Sequence, residues 1–310
     1  MAQNALGSFF LMLLRGCAYV YGLQPGRLRA FWGKCLGLGL RGMGFRREVI
    51  DRNLGIAFPG ESQLLLRSKL VGGCYRHLGT LFLDVLLVLG PFRRHCERNG
   101  ILRGFENWQS ARAEGRGILM LASHVGNWEI MAATGALSGI DILLATKHLK
   151  PEWLHRAIVA GRLTCGVKGT YEPRTLRDVL AHLKRNGTVG FVLDQFTGAP
   201  VGVRVPFFGV PVGTHLALAT LAKRTGAPVL PVVNHRTADG RQIVEIGKPV
   251  PWETHPNPAE ELARNTARYV GIIEADVRAH PDQWLWTHQR FKGDLSPLKP
   301  GEWADGRSRS

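Results

Sequence analysis

The sequence lacks the signature motifs of several large enzyme classes. Its 310 residues contain no G-x-S-x-G elbow, no G-x-x-x-x-G-K-[ST] phosphate loop and no H-E-x-x-H zinc motif. These absences argue against an α/β-hydrolase triad, a P-loop phosphotransferase and a zinc hydrolase. The five cysteines include no C-x-x-C pair, so we expect reduced thiols rather than a disulfide framework. We therefore predict no bound metal and no other cofactor.

Acidic residues are scarce relative to basic ones. The chain has 40 Lys and Arg against 24 Asp and Glu, which gives a formal net charge of +16. Such an excess indicates an anionic partner, which could be nucleic acid, anionic lipid or an acidic protein. The basic residues are spread along the chain and form neither a Lys/Arg-rich tract nor a zinc-finger pattern. We therefore predict no nucleic-acid partner.

The N-terminal segment is apolar and carries a single charge, Arg15, between residues 5 and 23. It has no basic leader and no small-residue cleavage site, so a secretory signal is not expected. Its length suits a bilayer, but a central Arg costs roughly 2.5–3.5 kcal/mol on insertion. Spanning the membrane, lying in its interface and forming a buried first helix all remain open. We predict an anchor helix over residues 1–23, with the following basic residues on the cytoplasmic side, and a helical section over 24–99. Three glycines of the predicted section 24–99 are expected to let helices pack closely: Gly33, Gly37 and Gly39.

From residue 100 the pattern changes to alternating strands and helices, which predicts an α/β domain over residues 100–292, the domain that would hold a catalytic site. The predicted fold class is α/β, a mostly parallel mixed sheet flanked by helices, with the helical N-terminal section associated with the membrane. Residues 196–212 are predicted to form one long loop, and residues 293–310 a disordered tail. Strands are predicted at 117–122, 141–146, 167–170, 188–193, 227–234 and 242–247, and helices at 127–138, 151–165, 173–186, 213–225 and 258–280.

One strand end carries a possible base, in the segment Ser123-His-Val-Gly-Asn-Trp-Glu129. On one regular helix His124 and Glu129 would point about 140° apart, so they can meet only across a strand–turn–helix junction. There the Glu129 carboxylate would accept the Nδ1–H of His124 and leave Nε2 free as a base. The alternative is a polar strand end followed by an ordinary acidic first helical turn.

Asp194 ends another apolar strand, after residues 190–193. Ligands of open α/β sheets lie beyond the carboxyl ends of strands, so His124 and Asp194 are expected in one cleft. The alternative for Asp194 is a turn cap, the common fate of an Asp in a loop.

No Ser or Cys in a nucleophile motif accompanies the histidine, which indicates direct transfer chemistry. The base would deprotonate a substrate hydroxyl, and that oxygen would attack an activated carbonyl without a covalent enzyme intermediate. The tetrahedral oxyanion would need hydrogen-bond donors. Backbone N–H groups at the helix start after His124 and the Lys147 ammonium are candidates.

Several motifs in one order resemble the lipid A biosynthesis late acyltransferases, the lauroyl/myristoyl transferase family within the glycerolipid acyltransferase superfamily. The likeness runs from about Trp32 to Lys292. The His-x4-acid stretch at 123–129 is shared across the superfamily, whereas Pro-Phe-Phe-Gly at 206–209 and Trp-x-His-x-Arg-Phe-Lys at 286–292 are narrower. The other elements are Arg47, Asn53-Leu54, Phe58-Pro59, Asp194-Gln195, Val205 and the stretches 224–231 and 281–285.

The resemblance implies an O-acyltransferase on the cytoplasmic face of the bacterial inner membrane. It would move a fatty acyl chain from an acyl carrier protein thioester to a hydroxyl of a lipid A precursor. Its partners would be the acyl carrier protein, an anionic glycolipid or phospholipid acceptor, and the membrane. The resemblance makes His124 the base, Glu129 its orienting partner and Asp194 a further catalytic acid. Candidate substrate-binding residues are Asn127, Lys147, Arg162, Gln195, Arg204 and Arg290. The four cations among them, Lys147, Arg162, Arg204 and Arg290, are candidates for contact with the phosphates of the lipid.

Two alternatives stand beside this function, and coenzyme A stands beside the carrier protein as a possible donor. One is acylation of a different membrane lipid, such as a lysophospholipid, a glycolipid or an aminolipid. Lys147 and Gln289 stand where the family usually has Arg, and Phe196 where it often has an acid, so the acceptor stays open. The other is a non-catalytic lipid- or carrier-binding protein on the same fold, against which the His124–Glu129 motif argues.

Overall fold

The chain begins with a series of helices, as its pattern predicts. The structure, a computed structural model, describes residues 2–298, apart from the side chains of residues 2–6 and 8. Residues 299–310 of the predicted tail lie outside the described residues. Helices α1 to α5 span Ala2–Leu23, Gly26–Gly42, Arg47–Ala57, Leu64–Leu89 and Phe92–Asn99, with a 3-10 turn at Glu61–Gln63. The predicted helical N-terminal section is therefore confirmed.

Helix α2 lies against α4 through glycines that leave no space for side chains. A Cβ built on Gly79 would lie 2.2 Å from the Gly33 carbonyl oxygen and 2.4 Å from the Gly37 amide nitrogen. Atoms cannot approach so closely, so the two backbones touch only because these positions carry no side chain. The expectation of close packing is confirmed for Gly33 and Gly37. It is wrong for Gly39, whose Cβ position has nothing within 4 Å.

One helical stretch among the described residues, residues 61–89 around α4, is long and apolar enough to cross a membrane. However, 61% of its apolar window is buried inside the protein, and Asp84 is among its buried residues. It is therefore a core helix. Helix α1 contributes only a shorter apolar stretch, Phe9–Leu23.

A seven-stranded sheet forms the centre of the following domain. Its order is β1-β9-β8-β2-β5-β3-β4, and every neighbouring pair is parallel except β8 with β9. This topology confirms the predicted α/β fold with a mostly parallel mixed sheet. The nine strands among the described residues, β1 to β9, span Gly100–Arg103, Ile118–Ala122, Ile142–Ala145, Lys168–Thr170, Thr188–Val192, Gly202–Phe207, Val210–His215, Val229–Arg236 and Gln242–Ile246.

Helices cover both faces of the sheet, which is why β2 is apolar at every position and shows no alternation. Met120 and Ala122 pack on the face covered by α6 and α7, whereas Leu119 and Leu121 pack on the face covered by α10 and α11. Helices α6 to α11 span Phe105–Ala113, Trp128–Leu137, Glu152–Thr164, Thr175–Lys184, Ala217–Thr225 and Pro258–Ala279, and a 3-10 turn follows at Pro281–Gln283.

The predicted loop over residues 196–212 is wrong in its second half. Strands β6 and β7 pair there as an antiparallel hairpin, which places Pro206 opposite Pro211. Proline is rare inside strands, so a proline in each strand concealed the hairpin from sequence reasoning. Phe208 and Gly209 make the turn, with φ of 50° and 76°. Helix α10 accordingly begins at Ala217 rather than at 213.

The α2–α4 contact yields a stability prediction. Gly79→Ala should destabilise the protein by about 3 kcal/mol, since the new methyl group meets backbone atoms that cannot rotate away. Gly39→Ala is the matched control and should be neutral or stabilising by up to about 1 kcal/mol, because alanine favours helix and the space is open. Thermal unfolding of both variants in detergent measures the difference. Equal melting temperatures would contradict the contact.

Candidate active site

Two neighbouring parallel strands end side by side at the carboxyl edge of the sheet. β2 and β5 pair with Ala122 opposite Val192. Two residues farther along each chain, the same alignment brings His124 next to Asp194. Ligands of α/β proteins bind at this edge. The expectation that these two side chains lie together is confirmed by a direct hydrogen bond between them.

Asp194 is a buried carboxylate that holds His124 at two points. Oδ1 lies 2.6 Å from His124 Nδ1, and Oδ2 accepts the His124 backbone N–H at 2.7 Å. Oδ2 also accepts the indole N–H of Trp284 at 2.7 Å. Burial opposes ionisation of this carboxyl, but the imidazole and the three hydrogen bonds outweigh burial and lower the Asp194 pKa to about 2. The carboxylate is therefore ionised at neutral pH and favours the tautomer with its proton on Nδ1.

The other imidazole nitrogen of His124 faces the side-chain amide of Gln195. The two Nε2 atoms lie 3.4 Å apart, a long contact that a substrate hydroxyl could replace. The Trp128 ring packs against the imidazole in a T-shaped contact, with ring centroids 4.7 Å apart and planes at 80°. The His124 side chain is 14% exposed, so the ring is enclosed but not sealed from solvent. Nε2 therefore has the environment of an available base.

Glu129 does not orient His124, contrary to the sequence prediction. Its carboxylate oxygens accept hydrogen bonds from Arg162 Nε at 2.8 Å and Nη2 at 2.6 Å. Helix α7 begins after Asn127, so Glu129 sits in its first turn and pairs with α8, while Nδ1 of His124 is already held by Asp194. Arg162 is buried and engaged with Glu129, so the prediction that it contacts a substrate phosphate is wrong as well.

Asn127 has a structural role at the start of α7. Its Oδ1 accepts the backbone N–H groups of Glu129 at 3.0 Å and Ile130 at 3.1 Å. Its Nδ2 donates to Asp84 at 3.1 Å, and Asp84 in turn pairs with Arg236. The side chain is buried and fully occupied. The prediction of Asn127 as a substrate-binding residue is therefore wrong, because the residue caps the helix instead.

Four of the backbone N–H groups that could serve as oxyanion donors after His124 are occupied. The N–H groups of Val125, Gly126, Glu129 and Ile130 have acceptors inside the protein. The Gln195 amide, next to His124 Nε2, is a better placed donor.

Arg290 is a buried guanidinium that supports the loop carrying Gln195. It donates to the carbonyl oxygens of Gln195 at 2.9 Å and Gly213 at 2.8 Å, and to Thr214 Oγ1 at 2.7 Å. It also stacks over the Phe207 ring at 5.1 Å. Burial lowers the Arg290 pKa to about 10. The prediction that Arg290 contacts a substrate phosphate is wrong, because the guanidinium has no exposed surface.

The two remaining predicted cations differ in their surroundings. Arg204 pairs with Asp294 at 3.3 Å and donates to the Ser296 carbonyl, so it binds the described part of the predicted tail. Lys147 is exposed. Burial lowers the pKa of His288, and the nearby Lys147 charge acts in the same direction. Lys147 therefore stays a candidate for contact with an anionic substrate.

Sequence reasoning missed a second buried carboxyl, Asp276 on α11, behind the histidine. Ser123 donates its Oγ–H to Asp276 Oδ2 at 2.8 Å and accepts the Val125 N–H at 3.2 Å, so the turn on both sides of His124 is held. Burial raises the Asp276 pKa to about 7; the Ser123 hydrogen bond opposes this shift and the Asp194 charge adds to it. The available signal was an acid at position 276 in the buried stripe of a long amphipathic helix.

Comparison with known proteins agrees with this site. The family model described as Bacterial lipid A biosynthesis acyltransferase matches residues 4–293. The chain belongs to this family. The resemblance drawn from the motifs is confirmed, and the protein is an O-acyltransferase rather than a non-catalytic binding protein.

Three relatives illustrate the range of this acyltransferase family. The chain is 27% identical to the lipid A biosynthesis lauroyltransferase of Escherichia coli (strain K12) over 261 residues, 82% of each chain. It is 27% identical to the lipid A biosynthesis palmitoleoyltransferase of the same organism over 287 residues, 89% of each chain. It is 26% identical to a phosphatidylinositol mannoside acyltransferase of Mycobacterium tuberculosis (strain ATCC 25618 / H37Rv) over 206 residues, which are 63% of this chain and 61% of that protein.

The acyltransferase contains an apolar cavity between α7 and the sheet. Glycines keep it open, since a Cβ on Gly190 would lie 2.8 Å from Leu144 Cδ2. Its wall includes Ala122 and Val192, the last residues of β2 and β5, so it reaches the edge that carries His124 and Asp194. Its lining is almost entirely apolar, which suits a hydrocarbon group rather than a polar one.

The Glu129–Arg162 pair should be a stability determinant. Glu129→Gln should lower the free energy of unfolding by about 3 kcal/mol, because it leaves the Arg162 guanidinium buried without a carboxylate. Glu129→Gln/Arg162→Gln should recover much of that loss, since neither charge then remains buried. Differential scanning fluorimetry of the acyltransferase in detergent compares them. A single variant as stable as the unchanged protein would contradict this role of the pair.

Asp276 should make the acyltransferase less stable as pH rises from about 4 to 7. Its folded-state pKa of about 7 lies above the ordinary 3.8, so the folded protein holds this proton more tightly. That stabilisation is complete below about pH 4 and is lost as pH rises through 7. The pKa of Asp194 is shifted in the opposite direction, to about 2. The stabilisation that Asp194 contributes to the folded state is therefore lost only as pH falls from about 4 to 2.

Asp276→Asn tests this dependence, because asparagine resembles the protonated carboxyl but cannot titrate. Melting temperatures at a series of pH values between 4 and 8 should fall less steeply for the variant than for the unchanged protein. Identical slopes would show that Asp276 does not titrate in this window.

Proposed function

We propose that the protein transfers a fatty acyl chain from an acyl carrier protein thioester to a hydroxyl of a lipid A precursor. The reaction takes place on the cytoplasmic face of the bacterial inner membrane. The observation that carries the mechanism is the His124–Asp194 hydrogen bond at the carboxyl edge of the sheet. It leaves Nε2 available at the edge of the sheet to which an apolar cavity extends, in a chain of the lipid A acyltransferase family.

His124 is the general base of this proposal. Nε2 takes the proton of the acceptor hydroxyl as the oxygen attacks the thioester carbonyl carbon. The tetrahedral intermediate collapses with cleavage of the carbon–sulfur bond. The leaving thiolate then takes the proton from the His124 imidazolium, so the enzyme returns to its starting state without becoming acylated.

Asp194 replaces Glu129 as the orienting acid. Its Oδ1 holds the Nδ1–H, which keeps the lone pair on Nε2 directed at the acceptor, and its charge stabilises the transient imidazolium. Gln195 donates to the carbonyl oxygen as negative charge develops there. Arg290 holds the Gln195 backbone and thereby positions that amide.

Charge and relatives support the two substrates. The net charge of +16 suits a donor protein with an acidic face and a phosphorylated lipid acceptor. The E. coli relatives are named for lipid A biosynthesis, which supports a lipid A precursor. The mycobacterial relative is named for phosphatidylinositol mannoside, which makes another anionic glycolipid the second candidate acceptor.

Two substitutions test the proposed roles. His124→Ala should lower kcat by 10²–10⁴-fold, roughly the contribution of a general base. Asp194→Asn should cause a loss of similar order, about 10²–10⁴-fold, because it removes the charge that fixes the Nδ1–H tautomer. The assay measures acylated lipid by mass spectrometry, with the purified protein, acyl carrier protein thioester and lipid acceptor in detergent micelles.

Matched controls use exposed residues of the same types. His148→Ala and Asp239→Asn lie on side chains about half exposed and should leave kcat unchanged. Near-normal turnover of Asp194→Asn would refute the orienting role of Asp194. Incubation with the acyl donor alone should leave the protein mass unchanged, and an acyl adduct on the protein would refute direct transfer.

A further inference from the structure

The first 47 residues contain seven Lys and Arg and no Asp or Glu, and the first acid is Glu48. They form helices α1 and α2, both of which pack on α4. Large apolar side chains on both helices are exposed. A surface that is apolar and basic, without a single acid, complements an anionic lipid surface.

Helix α1 lies along the protein rather than extending away from it. At one end a Cβ on Gly7 would lie 2.9 Å from Trp153 of α8, and at the other a Cβ on Gly22 would lie 2.5 Å from Pro91. Between them Ala18 is fully buried. The 16 residues from Gly7 to Gly22 cover about 22 Å of helix, which contacts the body of the protein at both ends and at Ala18.

This contact is incompatible with α1 crossing a bilayer. Trp153 lies one residue from Glu152, which pairs with Arg156, and both charges are on the surface. If α1 crossed, its contact with Trp153 would draw these charges into the hydrocarbon, at a high energetic cost. Helix α1 can therefore keep its packing only if it lies in the interface.

The outward face of α1 suits that position. At 100° per residue, six exposed large apolar side chains of α1 lie about 100–220° from Ala18. The seventh, Phe10, lies about 80° from Ala18 on the other side, and Arg15 lies about 60° from it, at the edge of the stripe. From that edge the Arg15 side chain reaches the headgroups while the apolar stripe enters the acyl region. The exposed stripe consists of Phe9, Met12, Leu13, Tyr19, Val20 and Leu23.

Helix α2 also exposes basic and apolar side chains, and on this helix they form two distinct stripes. Its inner face contacts α4 through Gly33 and Gly37. The exposed cations Arg27, Lys34 and Arg41 recur every seven residues, which places them in one stripe about 80–120° from Gly33. The neighbouring stripe, at about 140–260°, is apolar: Leu28, Phe31, Trp32 and Leu38, all exposed. A basic stripe beside an aromatic-rich apolar stripe is the pattern of a helix lying in a membrane interface.

We propose that α1 and α2 together form a monotopic contact with an anionic phospholipid surface. Neither helix crosses the bilayer. Helix α2 places Arg27, Lys34 and Arg41 at the phosphates and its aromatic stripe at the acyl boundary. This inference extends the membrane location in the proposed function, and its test uses neither acyl donor nor acceptor, so the two can fail separately.

Vesicle flotation with the full-length protein tests the role of α2. Binding to phosphatidylcholine vesicles containing phosphatidylglycerol should exceed binding to pure phosphatidylcholine. Each cation near an anionic surface contributes about fivefold in partition, so Lys34→Gln/Arg41→Gln should weaken binding roughly 25-fold, and only to the anionic vesicles. Phe31→Ser/Leu38→Ser should weaken binding to both. Matched controls on α9, Arg174→Gln/Arg177→Gln and Leu176→Ser, should bind unchanged.

Binding by both α2 variants equal to that of the unchanged protein would overturn the role of α2. Equal affinity for neutral and anionic vesicles would overturn the anionic specificity.

Protease protection tests whether α1 crosses the membrane. A tag placed before Met1 and a tag placed after Ser310 should both be cleaved in inverted inner-membrane vesicles, and both should be protected in intact spheroplasts. Cleavage of the N-terminal tag in spheroplasts, with protection of the C-terminal tag, would show that α1 spans and would overturn the monotopic arrangement.

Discussion

A buried carboxylate with three hydrogen-bond donors organises the functional half of this protein. Asp194 at the end of β5 accepts two bonds from His124, which follows β2, and one from Trp284 in the C-terminal segment. An ionised carboxylate without donors costs several kcal/mol to bury. Each of the three segments therefore stabilises the position of the other two. The orientation of the imidazole follows from the need to compensate this charge.

Much of the fold could be predicted from the sequence, because β2 and β5 are short apolar runs separated by amphipathic helices. The same logic placed His124 and Asp194 at one sheet edge. Sequence reasoning could not predict the hydrogen bond between His124 and Asp194, because the register of two strands 70 residues apart is not encoded locally. In addition, Glu129 offered a carboxylate nearer in the sequence. Nor could it reveal that Arg290 is buried, because an arginine in a motif suits a phosphate as well as backbone carbonyl groups.

Buried polar pairs surround the histidine on several sides. Glu129 with Arg162 joins α7 to α8, and Asp84 with Arg236 joins α4 to β8 and reaches α7 through Asn127. These pairs restrict the movement of the elements that they join. The site is thereby held by side chains that do not touch the substrate, which is how a preorganised geometry is maintained.

The bond from Trp284 to Asp194 also sets an order of events during synthesis. Every strand of the sheet and the histidine itself leave the ribosome before residue 284 does. Until then the Asp194 carboxylate lacks one of its three donors, and the segment that covers it is missing. Under the proposed contact of α1 and α2 with the lipid surface, a nascent chain reaches the membrane well before it has a completed active site. Membrane binding and activity are then separated in time by most of the length of the polypeptide.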